Sequence, residues 1–425
     1  MRDSRSLPQT RTVMSVRRSE SFSPTVQWLT LASCLLATIW PIPYVPAAAL
    51  LWVLMLPMTA PRLRLRPLLV VSSCFLLTLC SNVVVGTLNG SPQRDLVKLV
   101  VGLCIMLLTV LTVTDLLSRS LRAQWGLIIG PLGLSLTLAA ALFWEPAPGY
   151  DIWKYGLAWP TTLGVVGFGD YFLARGAKRS GVALFLGIAG VLFVTSFRSM
   201  GGIVLAALLV SLSRSSSVQA EHQTTSAGAP HSRPHRKGIY TLGGLAASIA
   251  IASYAMGNGL FGTVLQAKWQ EQGGTPWAAL MNGRPELQFS LNVLKTNFVA
   301  GYGAGNPLPA AAVENGHLGL SNLTLGDQLN LLERIAFVQV NVHSFLLDMW
   351  LQGSVVAVAG PLCAVVIAIA VFLGGRARPT PLVAFSSLII LWDFLFSPMT
   401  FFSPVLWGIV LAVLVAELGR RRLRD

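Results

Sequence analysis

Residues 96–114 read LVKLVVGLCIMLLTVLTVT, an unbroken apolar run in which Lys98 is the one charged side chain. A helix rises about 1.5 Å per residue, so a run of this length can cross the roughly 30 Å hydrocarbon core of a bilayer. Similar runs recur along the whole chain, which is 53% hydrophobic and only 11% charged. A soluble protein cannot bury so much continuous apolar sequence. The sequence therefore predicts an all-α polytopic membrane protein.

The apolar runs predict about twelve transmembrane helices. The first eight occupy residues 26–212, the ninth 239–256 and the last three 342–419. The runs that start at Val45 and Gly201 are short, which allows tilted or partly inserted helices. The predicted first residues are Val26, Val45, Pro67, Leu96, Trp125, Ile152, Gly181, Gly201, Ile239, Val342, Pro381 and Pro404.

Basic residues set the predicted orientation, because Lys and Arg resist translocation. With the N terminus inside, most of the 31 basic residues fall in cytoplasmic segments. Residues 1–25 become a disordered basic cytoplasmic tail, 213–238 a cytoplasmic linker and 420–425 a second basic tail. Residues 257–341 become one large external loop that carries short helices. The net charge of +14 follows from this asymmetry and does not require nucleic acid as a partner.

Arg198 lies in a turn between two apolar runs at the predicted outer face, two residues after Ser196. An arginine in such a turn can simply reach the lipid headgroups from the membrane interface. Alternatively, its small neighbours allow an anionic ligand to approach, and the planar guanidinium can donate several hydrogen bonds to a phosphate. The residues alone leave both interpretations open.

The external loop contains a predicted helix that opens after Arg284, with Pro285 at its first position and Leu287, Leu291 and Leu294 on one face. The N–H groups and dipole at such a helix start favour an anion, although a loop arginine is more often simply solvated. The glycines of the following segment 301–305 fit a tight turn near the membrane. They do not fit a dinucleotide-binding loop, because no strand precedes them.

His343 opens the tenth apolar run. A lone histidine at a helix start is more often structural than catalytic. Nevertheless, a neutral imidazole at the outer surface can accept a hydroxyl proton, since its reference pKa is about 6.5. Asp348 follows five residues later, about 140° further round the helix, so it is not expected to orient His343 from the same helix.

Taken together and in this order, these segments resemble the O-antigen ligase and O-antigen polymerase family of bacterial membrane glycosyltransferases. The similarity covers about residues 191–360. Two positions depart from the family pattern: Phe197 stands between serine and arginine, and Gln352 stands where an acidic residue often precedes the final glycine. The segments are Ser196-Phe197-Arg198 with Gly201, the helix opened by Arg284 that leads into Gly301–Gly305, and His343-Ser344-x-Leu346 up to Gly353.

The resemblance implies a glycosyltransferase that moves a glycan from an undecaprenyl-pyrophosphate carrier to an acceptor hydroxyl, with inversion. It implies Arg198, Arg284 and His343 as catalytic residues. Membrane lipids and a glycan or lipid-linked acceptor are the implied partners, at the outer face of the bacterial inner (plasma) membrane. The implied substrate-binding residues are Arg198, Arg284, Ser196, Gly303, Gly305 and Ser344.

No cofactor or metal is expected from the sequence. Many lipid-dependent glycosyltransferases carry acidic metal ligands in the first external loop, whereas this chain has the apolar turn Pro41–Tyr44 there. Asp151 and Glu286 are isolated, so no carboxylate cluster offers ligands to a hard cation.

Two other classes remain open. A multi-pass transporter or flippase of a lipid-linked saccharide would share the helix number and the basic inner loops. A non-catalytic assembly factor is the third alternative. Within the enzyme class, the residues do not separate polymerase from ligase, and polymerase is preferred partly because capsule and exopolysaccharide systems are widespread.

Overall fold

The structure is a computed structural model. It describes residues 23–40, 45–59, 66–143, 152–195, 198–224, 285–318, 344–374, 379–397 and 403–422, together with short pieces between 250 and 278. The predicted N-terminal tail lies almost wholly outside these residues. So do most of the predicted ninth helix and much of the predicted external loop.

The described residues form fifteen α-helices. A 3-10 turn, Arg122–Gln124, leads into α5, a π-helical turn, Trp153–Leu157, leads into α6, and a 3-10 turn, Val355–Val358, leads into α13. The helices are α1 (Pro24–Ala37), α2 (Ala48–Thr59), α3 (Arg66–Leu88), α4 (Gln93–Ser118), α5 (Trp125–Phe143), α6 (Ala158–Ala174), α7 (Lys178–Val194), α8 (Arg198–Thr224), α9 (Thr263–Glu271), α10 (Pro285–Thr296), α11 (Ala310–Leu318), α12 (Phe345–Gln352), α13 (Ala359–Leu373), α14 (Pro381–Phe396) and α15 (Ser403–Arg422).

Five stretches of the described chain are long and apolar enough to cross a membrane, and shorter apolar helices accompany them. Large apolar side chains are exposed on α2, α3 and α7 as well: Leu54, Leu88 and Val194 are 75%, 80% and 86% exposed. A soluble protein rarely leaves so much apolar surface in contact with water. The fold is thus that of a multi-pass membrane protein. The five stretches are Arg66–Leu88, Gln93–Ser118, Arg122–Phe143, Val355–Leu373 and Ser403–Arg422.

Helix α15 is the centre of the bundle: 83% of its apolar window is buried. It packs against α4 most extensively and also against α3, α13 and α14. Gly408 lets α4 approach closely, because a Cβ there would lie 2.6 Å from the Cβ of Thr109. Helices α5 and α6 use the same device, since a Cβ on Gly133 would lie 2.5 Å from the backbone N of Gly164. Small residues at such contacts are typical of membrane helix pairs.

The bundle has two ends that differ in chemistry. At the first, which we call the loop end, α3 turns into α4 and residues 297–306 pack on that turn. At the other, which we call the arginine end, α4 leads into α5 and α15 terminates in Arg420, Arg421 and Arg422. Helix α14 runs from the arginine end, where Leu382 N donates to Asp170 Oδ1 at 3.1 Å, to the loop end.

The tenth apolar run differs from the single helix that the sequence predicts. It is divided into α12 and α13 at Gly353 and Ser354. Ser354 caps the 3-10 turn, since its Oγ accepts from Val356 N at 3.0 Å and faces Ser81 Oγ at 2.7 Å. Helix α12 has eight residues, too few to cross a bilayer. It therefore lies ahead of the membrane-spanning segment at the loop end.

Candidate functional site

Ser344 fixes the start of α12 at the loop end. It is fully buried and serves as the N-cap residue, with Oγ accepting from Leu347 N at 3.3 Å. The same hydroxyl donates to Phe394 O, 3.0 Å away in the last turn of α14. Serine is favoured at this position because its oxygen satisfies an N–H group that the helix leaves without a partner. The hydroxyl thus joins α12 to α14.

The apolar side chains of α12 attach it to the bundle on one side and to α10 and α11 on the other. Phe345 packs on Trp407 of α15, with ring centroids 4.4 Å apart. Leu347 and Leu351 join a separate apolar cluster with Phe289 and Val293 of α10. Helices α10 and α11 are thereby held against α12, and through it against the membrane-spanning helices.

Gly301, Gly303 and Gly305 all have positive φ, at 66°, 89° and 72°. Side chains other than glycine rarely adopt this conformation, so the glycines form the tight turn expected from the sequence. The turn also lies against backbone: a Cβ on Gly301 would come within 2.6 Å of Gly353 O. A Cβ on Gly303 would lie 2.5 Å from Ser91 Oγ.

Hydrogen bonds hold this turn, residues 301–306, in place on both neighbours. Tyr302 N donates to Leu351 O at 2.6 Å, at the end of α12. Asn306 Nδ2 donates to Asn89 O at 3.0 Å, in the turn between α3 and α4. Just before the turn, Trp350 Nε1 donates to Phe298 O at 2.6 Å. The glycine turn therefore connects α12 with the α3–α4 turn.

Several polar groups lie beneath the glycine turn. Asp95 pairs with Lys98, with Oδ1 and Nζ 3.2 Å apart, and a Cβ on Gly305 would touch Asp95 Oδ2. Ser91 Oγ and Asn82 Oδ1 are shielded from solvent, and neither has a hydrogen-bond partner among the described residues. These groups surround the turn with donors and acceptors suited to a polar ligand, and apart from Lys98 they were not predicted from the sequence.

Asp348 is the buried carboxyl of this site, on the inward side of α12 and 8% exposed. Gln352 Nε2 donates to its Oδ1 at 2.6 Å. Burial raises the pKa of Asp348 to about 7, and the hydrogen bond from Gln352 opposes that rise. Near neutral pH the group can hold or release a proton. Gln352 stands where the family that the sequence resembles often has an acidic residue. In this chain Gln352 instead donates a hydrogen bond to Asp348, one helical turn earlier.

Arg198 is the first residue of α8, and its backbone can be placed through the neighbouring helix. Ser211 Oγ donates to Pro379 O, 3.4 Å away, just before α14 begins. Helices α8 and α14 pack together and must run antiparallel, because residues before Ser211 could not otherwise lie alongside α14. At about 1.5 Å per residue, the start of α8 lies level with the last turn of α14, where Phe394 accepts from Ser344.

Other predicted site residues lie outside the described residues: Ser196, Arg284 and His343. Their neighbours in the chain are described. Arg284 directly precedes Pro285, which is the first residue of α10 as the sequence predicts. His343 directly precedes Ser344. The helices that follow the two residues share the apolar cluster of Phe289, Val293, Leu347 and Leu351.

The apolar face of α10 differs from the predicted one. Leu294 is buried as expected, but Leu291 is 43% exposed, and Phe289 and Val293 fill the interface instead. The reason is that both α11 and α12 pack on α10, so the buried face of α10 differs from the one that the leucines predict. Gly316 of α11 provides the space, since a Cβ there would overlap the ring of Phe289.

Among the residues that the structure describes, no group of three or more His, Cys, Asp or Glu is arranged to hold a metal ion. Comparison of the chain with protein-family models, with curated proteins and with solved structures gave no match.

Proposed function

We propose that the chain is an O-antigen ligase-like or polymerase-like glycosyltransferase of the bacterial inner membrane, with about twelve spans and both termini in the cytoplasm. The loop end would face outward. There the enzyme would transfer a glycan from an undecaprenyl-pyrophosphate carrier to an acceptor hydroxyl of a glycan or a lipid-linked acceptor.

The observation that carries the proposal is the contact between the glycine turn and α12. Two segments that bear the family resemblance, Gly301–Gly305 and Ser344–Gly353, are far apart in sequence, yet Tyr302 N bonds to Leu351 O at 2.6 Å. The third segment begins α8 at the same end of the bundle. A composite site at one membrane face is what a transferase with a lipid-bound donor requires, because donor and acceptor must meet there.

The chemistry assigns a role to each residue. The pyrophosphate leaving group gains negative charge in the transition state, and Arg198 and Arg284 would stabilise that charge. His343 would accept the acceptor proton or hold the hydroxyl in line. Gly303, Gly305 and Ser344 would shape the pocket, and Ser196 would let the donor approach. The external helices would exclude water, which competes with the acceptor as a nucleophile.

The test is glycan transfer from a lipid-linked donor by purified full-length protein without added metal. Arg198→Ala and Arg284→Ala should each lower the rate by about two to three orders of magnitude, because each removes a donor aimed at developing charge. His343→Ala should lose most activity. The matched control is Lys295→Ala, an exposed cation on α10 whose loss should leave the rate unchanged.

Thermal melts show whether each variant is folded. Wild-type activity in all three variants would refute the site. A wild-type protein that never consumes the lipid-linked donor, but moves it across a vesicle membrane, would instead support the transporter or flippase alternative. Release of free lipid pyrophosphate together with a lengthened glycan would identify polymerisation.

A further inference from the structure

The arginine end contains a dense group of charges that the proposed transfer reaction does not use. Four arginines come together where α4, α5 and α15 meet: Arg119, Arg122, Arg420 and Arg421. The acids nearby are Asp115 and Glu417, and Asp170 is within electrostatic range of Arg122 and Glu417. Positive charge is therefore in excess, and Arg422 adds to it at the exposed end of α15.

Glu417 is the centre of this arginine cluster. It is only 2% exposed, and each of its carboxylate oxygens faces a different guanidinium. Oε2 lies 3.2 Å from Arg122 Nε, and Oε1 lies 2.9 Å from Arg421 Nε. Each oxygen thus faces the Nε of one arginine. Nη1 and Nη2 of Arg421 lie outside this contact.

The other arginines have separate partners. Arg119 Nη2 pairs with Asp115 Oδ2 at 2.6 Å. Arg420 donates through Nη2 to Ser120 O, and its guanidinium carbon lies 5.2 Å from the ring centroid of Trp125. These contacts hold the ends of α4 and α15 together.

Arg421 is the exception. Its Nη1 and Nη2 are shielded from solvent, and neither has a hydrogen-bond partner among the described residues. An unpaired buried donor carries a free-energy cost, so an acceptor is expected there. A neutral acceptor would leave the excess positive charge in place. An anion with several oxygens would satisfy both nitrogens and the charge, and phosphate matches the planar fork of a guanidinium.

We propose that Nη1 and Nη2 of Arg421, with the surrounding arginine cluster, bind a phosphate group, either of an anionic phospholipid headgroup or of a free phosphate. The location favours the lipid, because α15 is long and apolar enough to cross a membrane, and the last turn of such a helix is expected at the level of the headgroups. Basic pockets between membrane helices recognise anionic headgroups in this way. The site is at the opposite end of the bundle from the proposed transferase site.

The experiment compares melting temperatures of the purified full-length protein in a neutral detergent. Phosphatidylglycerol, phosphatidylcholine and inorganic phosphate are added separately to wild type, Arg421→Gln and Arg422→Gln. The last is the matched control, because it removes the same charge from an exposed position one residue away. Binding to the folded state raises the melting temperature, so wild type should gain about 3–5 °C with phosphatidylglycerol and nothing with phosphatidylcholine.

Arg421→Gln should lose the gain, and Arg422→Gln should keep it. Arg421→Lys retains a cation beside Glu417, so it should fold normally and still lose most of the gain, because it has no fork. An equal gain with inorganic phosphate would support the phosphate site and assign its source to free phosphate. Equal gains in Arg421→Gln and Arg422→Gln, or no gain in wild type, would overturn the proposal.

Discussion

The loop end and the arginine end are assembled by different kinds of contact. At the loop end, residues 297–306 are joined to α12 and to the α3–α4 turn by hydrogen bonds to backbone oxygens and by glycines with no room for a Cβ. At the arginine end, ion pairs between side chains join the helices, and Glu417 pairs with both Arg122 and Arg421. Because backbone atoms make many of the contacts at the loop end, polar side-chain atoms there, such as Ser91 Oγ and Asn82 Oδ1, remain able to bind a ligand. Paired charges fix helix ends.

The difference has an energetic side. A buried charge pair is costly to break, because the partner that remains is left uncompensated in a medium of low dielectric constant. A backbone turn can open with smaller losses, each net hydrogen bond contributing about 1 kcal/mol. The loop end is therefore the part of the bundle that can rearrange more easily around a ligand. The arginine end should stay closed throughout.

Glu417→Gln should have the largest effect on stability. The change keeps the shape of the side chain but removes the charge that Arg122 and Arg421 share, which typically costs about 3–5 kcal/mol for a buried pair. A thermal melt in detergent should show a large loss. Glu271→Gln is the control, because Glu271 is exposed on α9 and should melt like wild type. Equal melting of the two variants would mean that the arginine end is not held by charge.

Asp348→Asn should change the pH dependence of stability. Burial raises the pKa of Asp348 to about 7 from 3.8, so the folded state holds a proton that the unfolded state releases. The contribution of this carboxyl is fully present below pH 4, is lost as pH rises from about 4 to 7, and changes no further above that. The loss amounts to at most about 4 kcal/mol.

Melts of wild type and Asp348→Asn at pH 4, 5.5, 7 and 8 test this prediction. The variant cannot titrate at this position, so its stability relative to wild type should rise between pH 4 and pH 7 and then level off. A constant difference across the series would show that folding does not raise the pKa of Asp348. It would also remove a titrating carboxyl from the contrast between the two ends.

Much of the helical framework can be predicted from the sequence. Helices α5 and α14 begin at Trp125 and Pro381, the first residues expected from the apolar runs. The start of α10 follows from Pro285 for the same local reason, because proline suits the first turn of a helix. Hydropathy and helix-start residues act over a few neighbours, so a single sequence contains the necessary information.

The break between α12 and α13 could not be predicted in this way. At the break the backbone is packed too closely for a side chain: a Cβ on Gly353 would lie 2.8 Å from Oδ1 of Asn82, which is far away in sequence, and 2.5 Å from Cβ of Ala357. The apolar run itself continues through the break. Asn82, Ser91 and Asp95 were missed as parts of the site for a similar reason: a lone polar residue near a helix end has no signature until the glycine turn packs on it. The polar Asn82 inside an apolar span was the one available signal.

Gly303→Ala tests the loop end with the smallest of these changes. An L side chain at positive φ costs about 1–2 kcal/mol, and at Gly303 the new Cβ would also lie 2.5 Å from Ser91 Oγ. Gly274→Ala is the matched control, since Gly274 has φ +65° and nothing within 4 Å of the Cβ position. Both variants bear the backbone cost, but only Gly303→Ala should loosen the turn from α3 and α4.

Hydrogen exchange at residues 297–306 separates the two costs. Faster exchange there in Gly303→Ala, with wild-type exchange in Gly274→Ala, is the expected result, because Asn306 would lose its bond to Asn89 O when the turn moves away. If Gly303→Ala exchanges no faster than Gly274→Ala in this segment, the new Cβ does not loosen the turn. The close packing on Ser91 would then contribute nothing to holding the turn, and the loop end would depend on the α12 contacts alone.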